Sequence, residues 1–165
     1  MGLYAIGVLG QPSDAQLEKL RLEINNLVQD FEFSVGKELE IYLNDEFLNK
    51  DNKAACVAVY FGNVAKTSAA VVEKLISLKV PIIPVLENNR LCQTHLPACL
   101  LPLKCVFLEQ DAEMQDLSTS ILECLGLLHE QRSIFISYRR IESREAAIQL
   151  HDALSSKGFD VFLDT

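Results

Sequence analysis

The segment from Ala54 to Phe61, Ala-Ala-Cys-Val-Ala-Val-Tyr-Phe, is apolar at nearly every position and is closed by Gly62-Asn63. A strand with one wet face alternates apolar and polar side chains. One that is apolar throughout has both faces covered, and such strands form the middle of parallel sheets with helices above and below. Pro81 to Leu86, Pro-Ile-Ile-Pro-Val-Leu, is a second run of this kind. Two such runs joined by a helical pattern restrict the chain to a layered α/β architecture and exclude a sandwich or a bundle.

The flanking segments fit that restriction. Leu3 to Leu9 is a short apolar run, and Ser13-Asp14-Ala15-Gln16 after it is a capping box that starts a helix. Leu17, Leu20, Ile24, Leu27, Val28 and Phe31 then recur at helical steps, with Glu18, Lys19, Arg21 and Asn25 off the stripe, so one helix face covers the sheet. Between Glu38 and Asn44 the period shortens to two, with Leu39, Ile41 and Leu43 alternating against polar neighbours, which predicts a half-buried edge strand. Thr67 to Lys79 carries Val71, Val72, Leu75, Ile76 and Leu78 and reads as a second helix. Glu87 to Leu103, holding Asn88-Asn89, Pro97 and Pro102, reads as a long connection with at most one helical turn. A strand from Lys104 to Leu108 and a helix from Met114 to Leu128 follow. Residues 1–130 are therefore expected to form a five-stranded, parallel, flavodoxin-like sheet with helices on both faces.

Composition narrows the function classes. With 165 residues, 49% of them hydrophobic and 23% charged, the chain has material for a full core and none of the signature of disorder. A net charge of -8 repels phosphate backbones and anionic lipid, so neither nucleic acid nor a membrane is an expected partner. No run approaches the length of a membrane span, and Met1 to Gly10 lacks a basic, long apolar leader, so a cytoplasmic location is expected. The five cysteines form no Cys-x-x-Cys pair and read as reduced core thiols. His95 lies close in sequence to Cys92 and Cys99, but the spacing matches no zinc pattern, and no metal is expected.

A second unit begins near Gln131. The first 130 residues carry 10 basic and 18 acidic side chains, the last 35 five of each, and four of those five cations are arginine. Arginine suits planar, bidentate contact with anions. The tail reads as a strand at Ile134 to Tyr138, a helix at Arg144 to Ser156 and a strand at Phe159 to Asp164.

Within that tail, Arg132-Ser133-Ile134-Phe135-Ile136-Ser137-Tyr138-Arg139-Arg140, then Glu142-Ser143-Arg144, Gln149-Leu150-His151-Asp152-Ala153-Leu154 and Gly158-Phe159-Asp160-Val161-Phe162-Leu163-Asp164, resembles the opening of a TIR (Toll/interleukin-1 receptor) domain of bacterial type. The likeness joins the family's Phe-Ile-Ser-Tyr strand, first helix and second strand over about 35 residues, so residues 131–165 are expected to be the start of a truncated TIR domain. It implies a protein of immune or signalling type, including anti-phage defence, that self-associates through TIR–TIR contacts and in complete form hydrolyses NAD. It also implies that Phe135, Ser137, Tyr138, Arg139, Arg140 and Asp164 shape the nicotinamide, ribose and pyrophosphate pocket. The glutamate that NAD-cleaving members need is not in this stretch, so the 165 residues are expected to be inactive and to hold no tightly bound cofactor.

Residues 1–130 resemble a divergent copy of the same fold, through Val59-Tyr60-Phe61-Gly62 and Pro81-Ile82-Ile83-Pro84-Val85-Leu86. The family's glutamate position falls near Val71 and its preceding aromatic near Thr67. Glu73, two positions on, is turned about 200° round the helix. A phosphorelay receiver would need acids where Gly10-Gln11 and Gly62-Asn63 stand, and a flavodoxin would need a phosphate loop richer in hydroxyls than Gln11-Pro12-Ser13-Asp14. The first unit is expected to be a regulatory or oligomerising module. The alternative is a chain whose TIR-like surfaces act only as a non-enzymatic adaptor.

Overall fold

Burial on both sides is what the central strands require, and the computed structural model, which describes residues 2–29, 33–49, 54–66, 68–109, 112–128, 133–137, 144–156 and 159–163, provides it. The chain divides into two compact units, Met1–Leu125 and Gly126–Thr165. In the first, β1 (Tyr4–Gly10), β2 (Leu39–Leu43), β3 (Ala55–Phe61), β4 (Ile82–Leu86) and β5 (Val106–Phe107) form one sheet in the order β2-β1-β3-β4-β5. Every pairing is parallel, with Tyr4 opposite Ala55 and Gly10 opposite Phe61 along the longest contact. This is the flavodoxin-like order.

Helices cover both faces. On one, α1 (Asp14–Val28) packs beside α4 (Ala112–Cys124), and α4 lies against β3. Leu20, Ile24 and Val28 of α1 and Leu117, Ile121 and Leu122 of α4 are buried there. Ser118 is buried in the same helix because its hydroxyl donates to the Met114 carbonyl at 2.9 Å, so no polar atom is stranded. On the other face, Ala5, Leu9, Ala58, Tyr60 and Leu86 meet Val71, Val72 and Leu75 of α2 (Ala69–Ser77), with Phe47, Leu96 and Leu100.

The capping box forms as the sequence predicts. The Ser13 hydroxyl accepts from the Gln16 N–H at 3.2 Å, and the Gln16 side chain accepts from the Ser13 N–H at 2.8 Å. Gly7 sits in the middle of β1 because the Phe47 ring presses on that spot, where any Cβ would overlap it.

The expected half-buried edge strand is β2, and its burial fades along its length: Leu39 is buried, Ile41 half-buried and Leu43 exposed, since only one neighbouring strand holds it. Other expectations need correction. Ile76 and Leu78 are exposed, because the buried stripe of α2 is complete with Val71, Val72 and Leu75. The connection after β4 contains more than one turn: 3-10 turns at Asn89–Leu91 and Ala98–Leu100 flank α3 (Cys92–His95). A further 3-10 segment, Asn44–Asn49, takes the place of a crossover helix after β2 and carries Phe47 into the core. Phe31 and Thr67 lie outside the described residues.

The second unit holds β6 (Ser133–Ile136), α5 (Arg144–Ser155) and β7 (Asp160–Leu163), with β6 and β7 parallel and α5 packed on β7. Among the described residues, no helix is long and apolar enough to cross a membrane.

Candidate functional site

Because β2 and β3 lie on opposite sides of β1, the connections leaving β1 and β3 run in opposite directions, which opens a crevice beyond their carboxyl ends. A cleft of about 410 Å³ lies there, lined by Gln11 after β1, Phe61, Gly62 and Asn63 at the end of β3, Glu87 after β4, and His95 at the end of α3. A wider depression of about 620 Å³ lies along β5 and α4, where Lys104, Cys105, Glu113 and Asp116 line it. It lies away from the carboxyl ends of β1 and β3, where the strand order reverses, so the first cleft is the better candidate.

Local bonding fixes the rim. Gly10 has φ +85°, and a Cβ there would run into the Phe61 carbonyl oxygen, so only glycine lets β1 leave the sheet at this point. The Gly10 N–H donates to the Asn44 side-chain oxygen at 3.0 Å, and the Ser68 hydroxyl donates to the same atom at 2.7 Å. One amide thereby ties together the chain after β1, after β2 and before α2. Asn44 itself has φ +44°, a conformation that asparagine tolerates better than most residues. On the far side, the Gly62 N–H donates to Val85 O at 2.9 Å and the Asn63 N–H to His95 O at 3.1 Å. The Thr94 hydroxyl donates to Leu91 O at 3.2 Å and lies 2.7 Å from His95 Nδ1.

The electrostatics of the cleft are sparse. Glu87 is the one carboxylate and His95 the one ionisable nitrogen among its lining residues, which include no lysine or arginine. The lining offers neither a carboxylate pair for acid and base chemistry nor a cation for phosphate. Val71, near the family's glutamate position, is buried in the core under α2, whereas Glu73 is exposed. No carboxylate from α2 lines the cleft. The arrangement suits a small neutral polar molecule or a protein loop.

The residues singled out in the tail fare unevenly. Phe135 lies on β6 in register with Phe162 of β7, and both are exposed, at 65% and 51%. Ile136 turns inward from β6, Ala147 is buried on α5, and the two phenylalanines share the opposite face of the two-stranded sheet. Ser137 follows β6 and is exposed. Tyr138, Arg139, Arg140 and Asp164 lie outside the described residues. The reading of five core thiols is also too simple, since Cys124 is exposed and the other four are half-buried. Among the described residues, no group of three or more histidine, cysteine or acidic side chains is placed to hold a metal.

Asn44 and His95 are rim residues that sequence reasoning missed. The signal for Asn44 was an asparagine directly after an alternating strand, where a left-handed residue often ends the run. His95 carried none, because its place depends on how the connection after β4 folds. No family model matches the chain, and no curated protein or solved structure matches it.

Proposed function

We propose that this chain acts by assembly: the first unit is a TIR-like module without a catalytic centre that regulates or oligomerises, joined to the opening strand, helix and strand of a TIR domain in a bacterial-type signalling protein. The observation that carries this reading is the cleft at the carboxyl ends of β1 and β3, which stands where a ligand would sit in such a sheet and is lined by one carboxylate and no cation. Where the second domain is complete, NAD is its substrate, and Phe135, Ser137, Tyr138, Arg139, Arg140 and Asp164 contribute to that pocket.

The adaptor reading draws on a different observation, the exposed pair Phe135 and Phe162. A two-stranded sheet is marginal alone, and large apolar side chains left open on one face favour contact with another protein surface. A second copy of the chain is the partner that both readings share. Sedimentation velocity over a range of concentrations tests the assembly. The expected result is a mass that rises with concentration and returns to the monomer in the Phe135→Ser, Phe162→Ser double variant. A strict monomer at every concentration overturns the proposal.

A further inference from the structure

The cleft at the carboxyl ends of β1 and β3 is closed to anions at each place where such a crevice usually receives them. The amino end of the helix after β1 is the ordinary seat for a phosphate or carboxylate. Here the Ser13 hydroxyl accepts from the Gln16 N–H, the Gln16 side chain accepts from the Ser13 N–H, and Asp14 adds a carboxylate to the first turn of α1. Backbone N–H groups turned into the crevice are a second seat. Those of Gly62 and Asn63 are already given to Val85 O and His95 O. A lysine or arginine would be the third, and none is among the lining residues. Lys66, next in sequence to the lining residue Ala65, donates its ammonium to Gln93 O at 3.4 Å.

What remains has a sign and a shape. Glu87, exposed directly after β4, is the single carboxylate of the lining. Phe61, Val85 and Leu86 line the cleft and are buried, so they form an apolar base, while Val64 lines it and is 76% exposed. An apolar side chain left open beside such a base is stabilised when another apolar group covers it. A volume of about 410 Å³ falls at the small end of the roughly 300–1,000 Å³ typical of ligand pockets, which suits a small molecule. Sparse charge admits neutral molecules, but the one charge present favours those that bring a positive group, and the net charge of -8 concentrates cations near the surface. We propose that this cleft is a binding site for a small organic monocation, an amine whose ammonium meets the Glu87 carboxylate and whose apolar body lies on Phe61, Leu86 and Val64. One carboxylate matches one positive charge, which sets the site apart from one for a polyamine or a metal ion. The site is independent of how the chain assembles.

The test titrates the full chain with benzylamine, benzyl alcohol and benzoate, which share a ring and differ in charge, and follows backbone amide shifts by NMR. Benzylamine should move the amides of Gly62, Asn63 and Glu87 and bind about three- to tenfold more tightly than benzyl alcohol, the range of a charge-assisted bond at an exposed carboxylate. Benzoate should leave those amides unmoved. Glu87→Gln should bring benzylamine down to the affinity of the alcohol and leave the alcohol unchanged, while Glu73→Gln, an exposed carboxylate on α2 outside the lining, should change neither. Circular dichroism checks that both variants keep the fold. Absence of any shift with benzylamine overturns the proposal, as does equal binding of the alcohol or binding of benzoate in the cleft. Equal losses in Glu87→Gln and Glu73→Gln also overturn it, because the amine would then be following net charge and not the cleft.

Discussion

Replacing Tyr60 with phenylalanine should make the protein more stable. Tyr60 is fully buried on β3, and among the described residues its hydroxyl has no hydrogen-bond partner. An unpaired buried hydroxyl costs about 1–3 kcal/mol, and phenylalanine keeps the ring packing while removing that cost. With a urea dependence of about 1–3 kcal/mol per molar, the unfolding midpoint should rise by roughly 0.5–1 M. The same site sets an alkaline dependence. Burial, with a smaller contribution from the nearby Cys99 thiol, pushes the Tyr60 hydroxyl up to about 12 from its ordinary 10.0. Between those values the unfolded chain has released a proton that the folded chain still holds, so stability falls as pH rises through the window. Two units correspond to about 3 kcal/mol, a sizeable part of the roughly 5–15 kcal/mol by which a domain is stable. Urea unfolding of both proteins at neutral pH and again between pH 10 and 12 provides the assay, with the late tyrosinate absorbance that Tyr60→Phe removes marking this ring, since the bond to Glu40 raises Tyr42 as well. The advantage of Tyr60→Phe should widen across that window. A variant less stable than the parent by more than about 0.5 kcal/mol at neutral pH, or with the same alkaline slope, would refute the reasoning, since either result means that the hydroxyl has a partner.

Other substitutions probe the frame around the cleft. Gly7→Ala forces a methyl group into the Phe47 ring and should cost about 1–3 kcal/mol by thermal or urea unfolding. Ser13→Ala removes the cap of α1 and should cost about 1 kcal/mol, with little change in circular dichroism. The Tyr42 hydroxyl donates to Glu40, which holds that carboxyl below its ordinary value; burial works against the shift, while the Gly2 N–H adds to it. The folded carboxyl therefore contributes stability above the unfolded value of 4.5 that is lost as pH falls through the lower folded value, and Glu40→Gln should flatten the thermal midpoint across that acid range.

The covered and edge places in the sheet were legible because β3 and β4 have both faces covered and so carry almost no polar residue, while the edge strand β2 alternates. The start of α1 was legible because its cap is a local bond between residues three apart. What escaped was set by contacts distant in sequence. Phe47 belongs to a 3-10 segment with no helical stripe, and it is placed by the gap that Gly7 leaves in β1. The turns around α3 follow from closing a long connection over Leu96 and Leu100, both fully buried, and they bring His95 to the cleft. The tail's strand, helix and strand were readable from period alone, yet the outward turn of Phe135 was not. A short apolar strand reads the same whether one of its faces is covered or open.

The central claim is that the strand-end cleft lacks the charged groups that glycosidic cleavage requires. Its most direct test is to incubate the chain with NAD and measure nicotinamide against a blank without protein. No release above the blank is expected, whatever the protein concentration. Nicotinamide that accumulates linearly with time and disappears in Glu87→Gln would contradict the account, because the single carboxylate of the cleft would then be sufficient for turnover.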